Sequence, residues 1–253
     1  MKKLLYLFSA SLLVLSSCSS DDDTTATVLV KKVSYVSNGE SYTVDFTYSG
    51  NKIVSNVNNY GEKTTFTYTG DLITKIVDTD DKGNVDYTTE FTYTNGKLTS
   101  EISLETGADY KYKTKYVHNT DGTISFEEFR VAVATGKEEK YGDIGKYTFK
   151  NGNLVKIEKS YYGTNSSETY EYDAKNNPFK NVVGFNLFVN DEVGAYVNNI
   201  AYVNNIVKRT YSNSNSTGTY TNTYEYKYNA EGFPTEQKDF YNGASDETTT
   251  YTY

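Results

Sequence analysis

Apolar and polar side chains alternate along most of the chain beyond residue 28. In residues 42–48 an aromatic or aliphatic side chain occupies every second position, and Thr or Asp fills the positions between them. Successive side chains of a β-strand point to opposite faces, so this period of two predicts a strand with one apolar and one wet face. Such strands are typical of antiparallel sheets.

A longer repeat is superimposed on the alternation. A strand that ends in an aromatic residue is followed by a Gly turn and by a strand that starts with Leu or Ile, in residues 65–76, 90–102 and 146–157. Weaker copies surround Gly50, Gly122 and Gly232. Asn-Gly and Asp-Gly turns supply the positive φ angles of tight β-hairpins. We therefore predict an all-β fold, an antiparallel meander of about 14–17 strands that forms a barrel or a large curled sheet.

The hairpin rhythm breaks between residues 176 and 207. Asn177 and Pro178 can start a helix, so we expect at most one short helix near residues 178–188. The sequence Tyr-Val-Asn-Asn-Ile then occurs twice, at 196–200 and 202–206. One interpretation is a plug that closes one end of a barrel. The other is a binding edge, because departures from a repeat often carry function, with four candidate ligand-binding residues: Tyr196, Tyr202, Asn199 and Asn205.

The N-terminal segment has the features of a secretion signal. Lys2 and Lys3 precede an apolar stretch from Leu4 to Leu15, which is too short to span a membrane as a helix. Leu15-Ser16-Ser17-Cys18 follows and resembles the bacterial lipobox. The resemblance implies a signal peptide over residues 1–17, lipidation of Cys18, and a membrane anchor through that N-terminal lipid. Residues 18–27 then form a lipidated, acidic tether, and 28–253 form a single β-repeat domain.

The acidic run after Cys18 also bears on location. Residues 21–23 are all Asp, and this run resembles the surface-export signal of Bacteroidetes lipoproteins. The resemblance implies a cell-envelope protein, an outer-membrane lipoprotein that is exposed at the cell surface. If this run does not act as a surface-export signal, the protein faces the periplasm.

A second resemblance covers about residues 40–253. Tyr172-Asp173 and the Gly turns resemble degenerate YD (Rhs-type) repeats. The sequence at 172–179, Tyr-Asp-x-x-x-Asn-Pro-Phe, and the Gly-Phe-Pro-Thr at 232–235 are closer to a domain of Bacteroidetes lipoproteins described as porin-like in fold. This resemblance implies a many-stranded antiparallel sheet or barrel and brings no known activity with it.

Composition and charge narrow the classes of function. The chain has 27 Tyr, 12 Phe and no Trp, which suits a core built on pleated strands. Its net charge is −8, and loss of Lys2 and Lys3 with the signal makes it −10. An acidic chain without a basic cluster repels phosphate backbones, so we expect no nucleic-acid partner. Cys18 is the only cysteine, so the domain has no disulfide, no Cys-ligated metal and no thiol nucleophile.

Residues that could support catalysis are few. His118 is the only histidine, stands at a predicted strand end and has no visible triad or zinc partners. Asp78–Asp81 starts like a calcium loop, but Lys82 stands where an EF-hand needs an oxygen ligand, and Thr89 stands where it needs a Glu. We expect a polar hairpin loop there, with weak calcium binding left open. Glu127-Glu128 and Glu138-Glu139 are adjacent and so point to opposite faces of a strand, which favours solvated charge.

These observations favour a lipid-anchored, non-enzymatic module that binds or interacts with a glycan or a protein, through the aromatic faces that tyrosine offers. We predict no catalytic residue, no metal and no cofactor. Two alternatives remain open: an outer-membrane β-barrel, and a glycan hydrolase whose carboxylates come from distant strands. The ligand and the oligomeric state do not follow from the sequence.

Overall fold

The chain forms a closed antiparallel β-barrel. The structure, a computed structural model, describes residues 27–37, 39–189, 202–241 and 243–253. Within these residues each strand pairs with the next, and the first pairs with the sixteenth. The strands, β1 to β16 in chain order, are Lys32–Ser37, Glu40–Ser49, Lys52–Asn58, Lys63–Thr69, Leu72–Thr79, Val85–Thr94, Lys97–Glu105, Tyr110–His118, Ile124–Ala132, Glu138–Lys150, Asn153–Tyr161, Thr164–Tyr172, Ile206–Asn213, Thr219–Tyr228, Pro234–Tyr241 and Ala244–Thr252.

This architecture confirms the predicted meander of about 14–17 strands, and of the two expected forms it is the barrel. A turn of 3-10 helix at Phe185–Leu187 is the one helical element in the described ranges, within the single short helix expected near residues 178–188. No helix in this part of the chain is long and apolar enough to cross a membrane. Asn95-Gly96 and Asn151-Gly152 adopt the positive φ angles predicted for tight hairpins.

The aromatic residue near the end of an even-numbered strand makes a recurring hydrogen bond. Its hydroxyl donates to the backbone carbonyl of a residue at the start of the preceding odd-numbered strand. These bonds, of 2.5–2.9 Å, join Tyr48 to Val30, Tyr93 to Ile73, Tyr172 to Leu154, Tyr226 to Ile206 and Tyr253 to Pro234. The repeat in the sequence therefore encodes a cross-strand clasp, which we call the tyrosine clasp.

His118 takes the place of the clasp tyrosine in β8. Its Nε2 lies 2.8 Å from the carbonyl oxygen of Leu98, at the start of β7. This histidine therefore contacts the same kind of strand-start carbonyl that the clasp tyrosines contact. In β10 the corresponding residue is Phe149, which has no hydroxyl.

The connection from β12 to β13 enters the barrel, and we call its described residues, 173–189 and 202–205, the plug. Three of its phenylalanines contact phenylalanines of successive even-numbered strands, with ring centroids 5.0–6.2 Å apart: Phe179 with Phe46, Phe185 with Phe66, and Phe188 with Phe91. Gly184 lets the backbone come close to the wall, because a Cβ there would lie 3.1 Å from the carbonyl oxygen of Asp71. The plug interpretation of this segment matches its position.

Hydrogen bonds attach the plug to the turns at the same end of the barrel. The Val183 amide donates to the Asn51 carbonyl at 2.9 Å, and the Tyr68 hydroxyl donates to the Val183 carbonyl at 3.1 Å. On the far side, Asn153 Oδ1 accepts the amide of Val203 at 2.9 Å. We call this end of the barrel the plugged end and the other the open end, and the interior between them the lumen.

The outer face of the barrel is polar. In β4, for example, Lys63, Thr65 and Thr67 alternate outward, because Thr64 and Phe66 point inward. Cross-strand ion pairs cover the outer face, among them Lys32–Asp45 at 3.2 Å, Lys208–Glu171 at 2.9 Å and Lys227–Glu236 at 2.8 Å. Exposed pairs of this kind contribute only about 0–1 kcal/mol each to stability.

The tyrosine clasp predicts a measurable stability contribution. Tyr93→Phe keeps the ring and removes only the hydroxyl bonded to Ile73, so the free energy of unfolding should fall by about 1 kcal/mol. Tyr162→Phe is the control, since that side chain is 84% exposed. Urea unfolding of both variants measures the difference. Equal stability of Tyr93→Phe and the parent would contradict the clasp.

Candidate ligand-binding site

A cavity of about 190 Å³ lies in the lumen, between the plug and the inner faces of β1 and β13–β16. It combines aromatic, charged and amide side chains, which is typical of sites for small polar molecules. The residues that line it are Tyr35, Asn177, Pro178, Phe179, Asn205, Ile206, Arg209, Tyr224, Tyr226, Gln237, Asp239, Glu247, Thr249 and Tyr251. We call it the lumenal cavity.

The plug forms the floor of the lumenal cavity. The Asn177 side-chain oxygen accepts the amide of Phe179 at 2.9 Å, which turns the chain at Pro178. Asn205 donates to Asp173 at 3.1 Å and to the carbonyl of Asn176 at 3.1 Å. These bonds join the two ends of the plug to each other, so the floor of the cavity is held in a fixed position.

Alternate residues of β14, β15 and β16 form one side of the cavity. Strand pairing places Tyr226 opposite Gln237, and Gln237 opposite Thr249. The Tyr251 hydroxyl donates to Gln237 Oε1 at 2.8 Å, and Gln237 Nε2 donates to Asp239 Oδ1 at 2.7 Å. This chain of bonds fixes the Asp239 carboxylate toward the open end of the cavity.

Arg209 lines the cavity from β13, next to β14, and pairs with Glu168 of β12. Nε and Nη2 of Arg209 both lie 2.6 Å from Glu168 Oε2, which also accepts the Tyr170 hydroxyl at 2.9 Å. Glu168 is 8% exposed. A carboxylate this buried needs such partners, because desolvation of an unpaired charge is costly.

The cavity tyrosines remain protonated at physiological pH. Burial raises the pKa of Tyr35, and the nearby Glu247 carboxylate adds to the effect. Burial likewise raises the pKa of Tyr226, with Asp239 adding to it. Their hydroxyls are therefore neutral and can donate hydrogen bonds.

A second group of carboxylates faces the lumen from β7 and β9. Burial raises the pKa of Glu101 to about 7, and repulsion from Glu128 adds to it. Burial also raises the pKa of Glu128. Thr114 of β8 pairs with both residues and stands between them. The expected opposite orientation of Glu127 and Glu128 is therefore observed, but Glu128 is not the solvated charge that we expected, because its side of the strand faces the lumen.

The predicted binding residues separate in the structure. Asn205 lines the lumenal cavity. Tyr202 is 2% exposed and packs against Tyr170 and Tyr172, with ring centroids 6.5 and 5.6 Å apart. Its position is that of a core residue at the plugged end. Tyr196, Asn199 and the lipidation residue Cys18 lie outside the described residues.

In the loop at Asp78–Asp81, the carboxylates of Asp78 and Asp80 accept hydrogen bonds from other residues of the chain. Asp80 Oδ1 accepts the amides of Lys82 and Asn84 at 2.9 and 2.7 Å. Asp78 points into the lumen and accepts the Thr64 hydroxyl at 2.5 Å. Within the described ranges, no three His, Cys, Asp or Glu side chains are grouped closely enough to hold a metal ion. The loop thus has the form of the polar hairpin that we expected.

A larger hollow of about 790 Å³ lies along β10–β13. Serine and asparagine dominate its lining, together with Lys146 and Glu158, which pair with each other on the outer face at 3.6 Å. Phe126 closes it from within, because Gly145 leaves room for that ring. Among the described residues, Phe126 is the one aromatic residue of this lining, whereas five aromatic residues line the lumenal cavity, so the chemistry favours the lumenal cavity.

Sequence reasoning missed Arg209, Gln237, Asp239 and Glu247. Each occupies an inward position of its strand, where the repeat elsewhere has apolar residues. The period of two is the signal that could have found them, because they occupy inward positions of their strands, as Tyr224 and Tyr226 do in β14. Applying it requires the register between β13 and β16, which the sequence alone does not provide.

Comparison with known proteins supports the fold. Neither a protein-family model nor a curated protein matches this sequence. Among solved structures, it is similar to a porin-like protein from Bacteroides vulgatus, with a TM-score of 0.60 and 18% identity over 90% of this chain and 99% of that one. A porin-like protein from Bacteroides uniformis gives a TM-score of 0.53 and 17% identity over 88% and 97%. The likeness to porin-like folds that the sequence resemblance implied is thus observed.

The raised pKa of Glu101 predicts how stability depends on pH. The folded state keeps a proton up to about pH 7, whereas the ordinary pKa is 4.5. Folding therefore takes up a proton between these values, and the free energy of unfolding should fall as pH rises from about 4.5 to about 7. Glu101→Gln removes this dependence and should be about 3 kcal/mol more stable than the parent at pH 8.

Urea unfolding at pH 5 and pH 8 measures this effect. Glu225→Gln, on the exposed outer face of β14, is the control and should change neither value. A parent protein that is as stable at pH 8 as at pH 5, with Glu101→Gln unchanged from it, would show that Glu101 titrates normally.

Proposed function

We propose that this protein is a lipid-anchored cell-envelope module that binds a small polar ligand in the lumenal cavity without transforming it. The ligand is a sugar residue of a glycan or an end group of a protein. The enclosed cavity of about 190 Å³ at the plug carries this proposal. Rigid tyrosine faces beside a few fixed polar groups suit recognition of such ligands.

The position of residues 28–30 supports an anchored arrangement. The Val28 carbonyl accepts the Asn181 side chain at 3.0 Å, and the Val30 carbonyl accepts the Tyr48 hydroxyl at 2.8 Å. The chain thus enters the barrel at the plugged end. A lipid on Cys18 then places the plugged end toward the membrane, and the open end faces the medium from which a ligand arrives.

The polar outer face supports a barrel that stands in water. A barrel that spans the outer membrane needs an outward apolar band about 25 Å tall. Lys63, Thr65 and Thr67 on β4, and ion pairs such as Lys208–Glu171, interrupt any such band. We therefore favour the anchored module over the outer-membrane barrel.

A hydrolase is the second candidate, and Glu101 and Glu128 are the observation that favours it. A carboxyl group with a pKa of about 7 suits a general acid. The described cavity lies on other strands, however, which is why binding is the first choice. Product analysis during the binding assays below tests for hydrolysis, and Glu101→Gln should abolish any that is found.

The anchor predicts a change in fractionation. Cys18→Ala removes the lipidated thiol, so the variant should leave the membrane fraction and run as an unprocessed or soluble species. Ser19→Ala is the control and should remain membrane-bound. A Cys18→Ala protein that is processed and retained like the parent would show that the lipobox interpretation is wrong.

The cavity predicts that substitutions at two neighbouring residues affect ligand binding differently. Thr249 lines the cavity, whereas Thr250 faces outward on the same strand. A panel of sugars and amino compounds is tested by saturation-transfer NMR on the full chain in non-ionic detergent. Thr249→Leu adds bulk to the cavity and should weaken binding at least tenfold, and Thr250→Leu should leave it unchanged. Melting curves check that both variants fold, and identical binding by both would contradict the site.

A further inference from the structure

We propose that a hollow at the rim of the open end binds one sugar unit of a neutral glycan chain, which stacks on the rings of Tyr141 and Tyr162. The hollow has a volume of about 240 Å³ and lies between β10 and the turn that joins β11 to β12. We call it the rim hollow. None of the described residues that line it lines the lumenal cavity, so this inference goes beyond the proposed function. Its lining includes Glu127, Lys140, Tyr141, Ile144, Ser160 and Tyr162.

A bulge in β10 creates the rim hollow. β10 pairs with β9 up to residue 140 and again from Ile144, so residues 141–143 stand opposite Glu128 alone. The Glu128 carboxylate accepts a backbone amide of the bulge at 2.8 Å and holds it in place. β11 pairs with β10 only from Ile144 onward, so the hairpin of β9 and β10 projects beyond the end of β11. Bulges often redirect a side chain toward a site, and this one leaves Tyr141 beside the β11–β12 turn.

Tyr162 occupies a backbone conformation that a tyrosine rarely adopts. Tyr162 and Gly163 are the two residues between β11 and β12, with φ angles of 44° and 87°. Other two-residue turns of the barrel hold Asn95 and Asn151 at the first position, because Asn-Gly suits a turn in which both φ angles are positive. A bulky side chain there is strained, and 84% exposure means that burial does not offset the strain. Strained residues of this kind cluster at binding sites, which points to a ligand for this ring.

Both tyrosine rings are held in position before a ligand arrives. The ring of Tyr162 meets that of Tyr161 edge-on, with centroids 4.5 Å apart. The guanidinium of Arg130 lies 5.0 Å from the centroid of the Tyr141 ring. Arg130 Nε in turn donates to Glu139 Oε1 at 2.5 Å. Rigid aromatic faces lose little conformational entropy when they bind a partner, so these rings form a prepared surface.

The polar groups of the rim hollow match an uncharged ligand that is rich in hydroxyl groups. Lys140 and Glu127 form an ion pair there, which balances their charges and still leaves donors and acceptors for hydroxyls. Ser160 adds a hydroxyl, and Ile144 adds an exposed apolar side chain. An anionic ligand would be repelled by Glu127 and Glu128. A sugar has apolar C–H faces and hydroxyl edges, so it can pack on the tyrosines and bond to the polar groups together.

The dimensions of the rim hollow favour a glycan chain over a protein surface. A volume of about 240 Å³ takes a single sugar ring, whereas a stable protein interface buries about 800 Å² on each partner. Because Tyr162 is exposed beside the hollow, neighbouring sugar units can continue past its ring. The rim hollow therefore suits an internal unit of a polymer, whereas the enclosed lumenal cavity suits an end group.

The test measures retardation of the full chain in native gels that contain a soluble polysaccharide and a non-ionic detergent. The neutral polymers are a β-glucan, a mannan, an arabinoxylan and an α-glucan, and polygalacturonate is the anionic comparison. At least one neutral polymer should retard the parent protein. Tyr162→Asn and Tyr141→Ala should each weaken that binding by about tenfold or more. Tyr162→Phe keeps the ring and should bind like the parent.

Melting curves separate a ligand-binding role of Tyr162 from a structural one. Asn adopts the left-handed conformation readily, so Tyr162→Asn should raise the Tm by about 2–4 °C while it removes binding. Tyr60→Ala changes another exposed tyrosine of the open end and is the control for the aromatic ring. Thr249→Leu changes the lumenal cavity, and it should leave polymer binding intact as well.

Several results would overturn this inference. They are no retardation by any neutral polymer, stronger retardation by polygalacturonate, a Tyr162→Asn variant that binds like the parent, and a Tm of that variant that does not rise. Loss of polymer binding in Thr249→Leu but not in Tyr162→Asn would assign the binding to the lumenal cavity. The proposed function would then stand, and the rim hollow would be rejected as a glycan site.

Discussion

The width of a sixteen-strand barrel is the constraint on which the rest of this structure depends. Barrels of about eight strands fill with their own side chains, whereas those of about sixteen enclose an open lumen. Here the connection between β12 and β13 fills one end, where Phe179, Phe185 and Phe188 pack on phenylalanines of β2, β4 and β6. Without the plug, those apolar rings would line a water-filled space.

The plug divides the lumen into an apolar end and a polar end, and the lumenal cavity lies at the boundary between them. Side chains there have a hydrophobic floor on one side and charged groups on the other, which allows a ligand to bury apolar atoms and satisfy polar ones together. Each tyrosine of the clasp also combines apolar and polar contacts, because its ring packs inward while its hydroxyl donates to a carbonyl near the start of a strand. Most of the phenylalanines of this barrel point inward, and many of its lysines point outward.

Local patterns in the sequence were sufficient to predict the hairpins, the approximate strand number and the position of His118 at a strand end. They act over distances of 20 residues or fewer, as in the bond from His118 to Leu98. Closure between β1 and β16 depends on register around the whole barrel. The pair of Arg209 with Glu168, 41 residues away, depends on the register of β12 and β13, whose connection is the long plug segment. The sequence identified residues 176–207 as a break in the repeat. Whether Tyr202 contacts a ligand or the core depends on how this segment packs inside the barrel, and the local pattern does not determine that.

The arrangement of apolar residues inside and polar residues outside is tested most directly by unfolding two variants of the full chain in guanidinium chloride. Phe185, at 1% exposure, lies in the plug, and Val117, at 60%, lies on the outer face of β8. Phe185→Ala should lower the free energy of unfolding by about 3–5 kcal/mol, and Val117→Lys should change it by less than about 0.5 kcal/mol. A neutral Phe185→Ala together with a strongly destabilising Val117→Lys would mean that the apolar face points outward, and the account would be wrong.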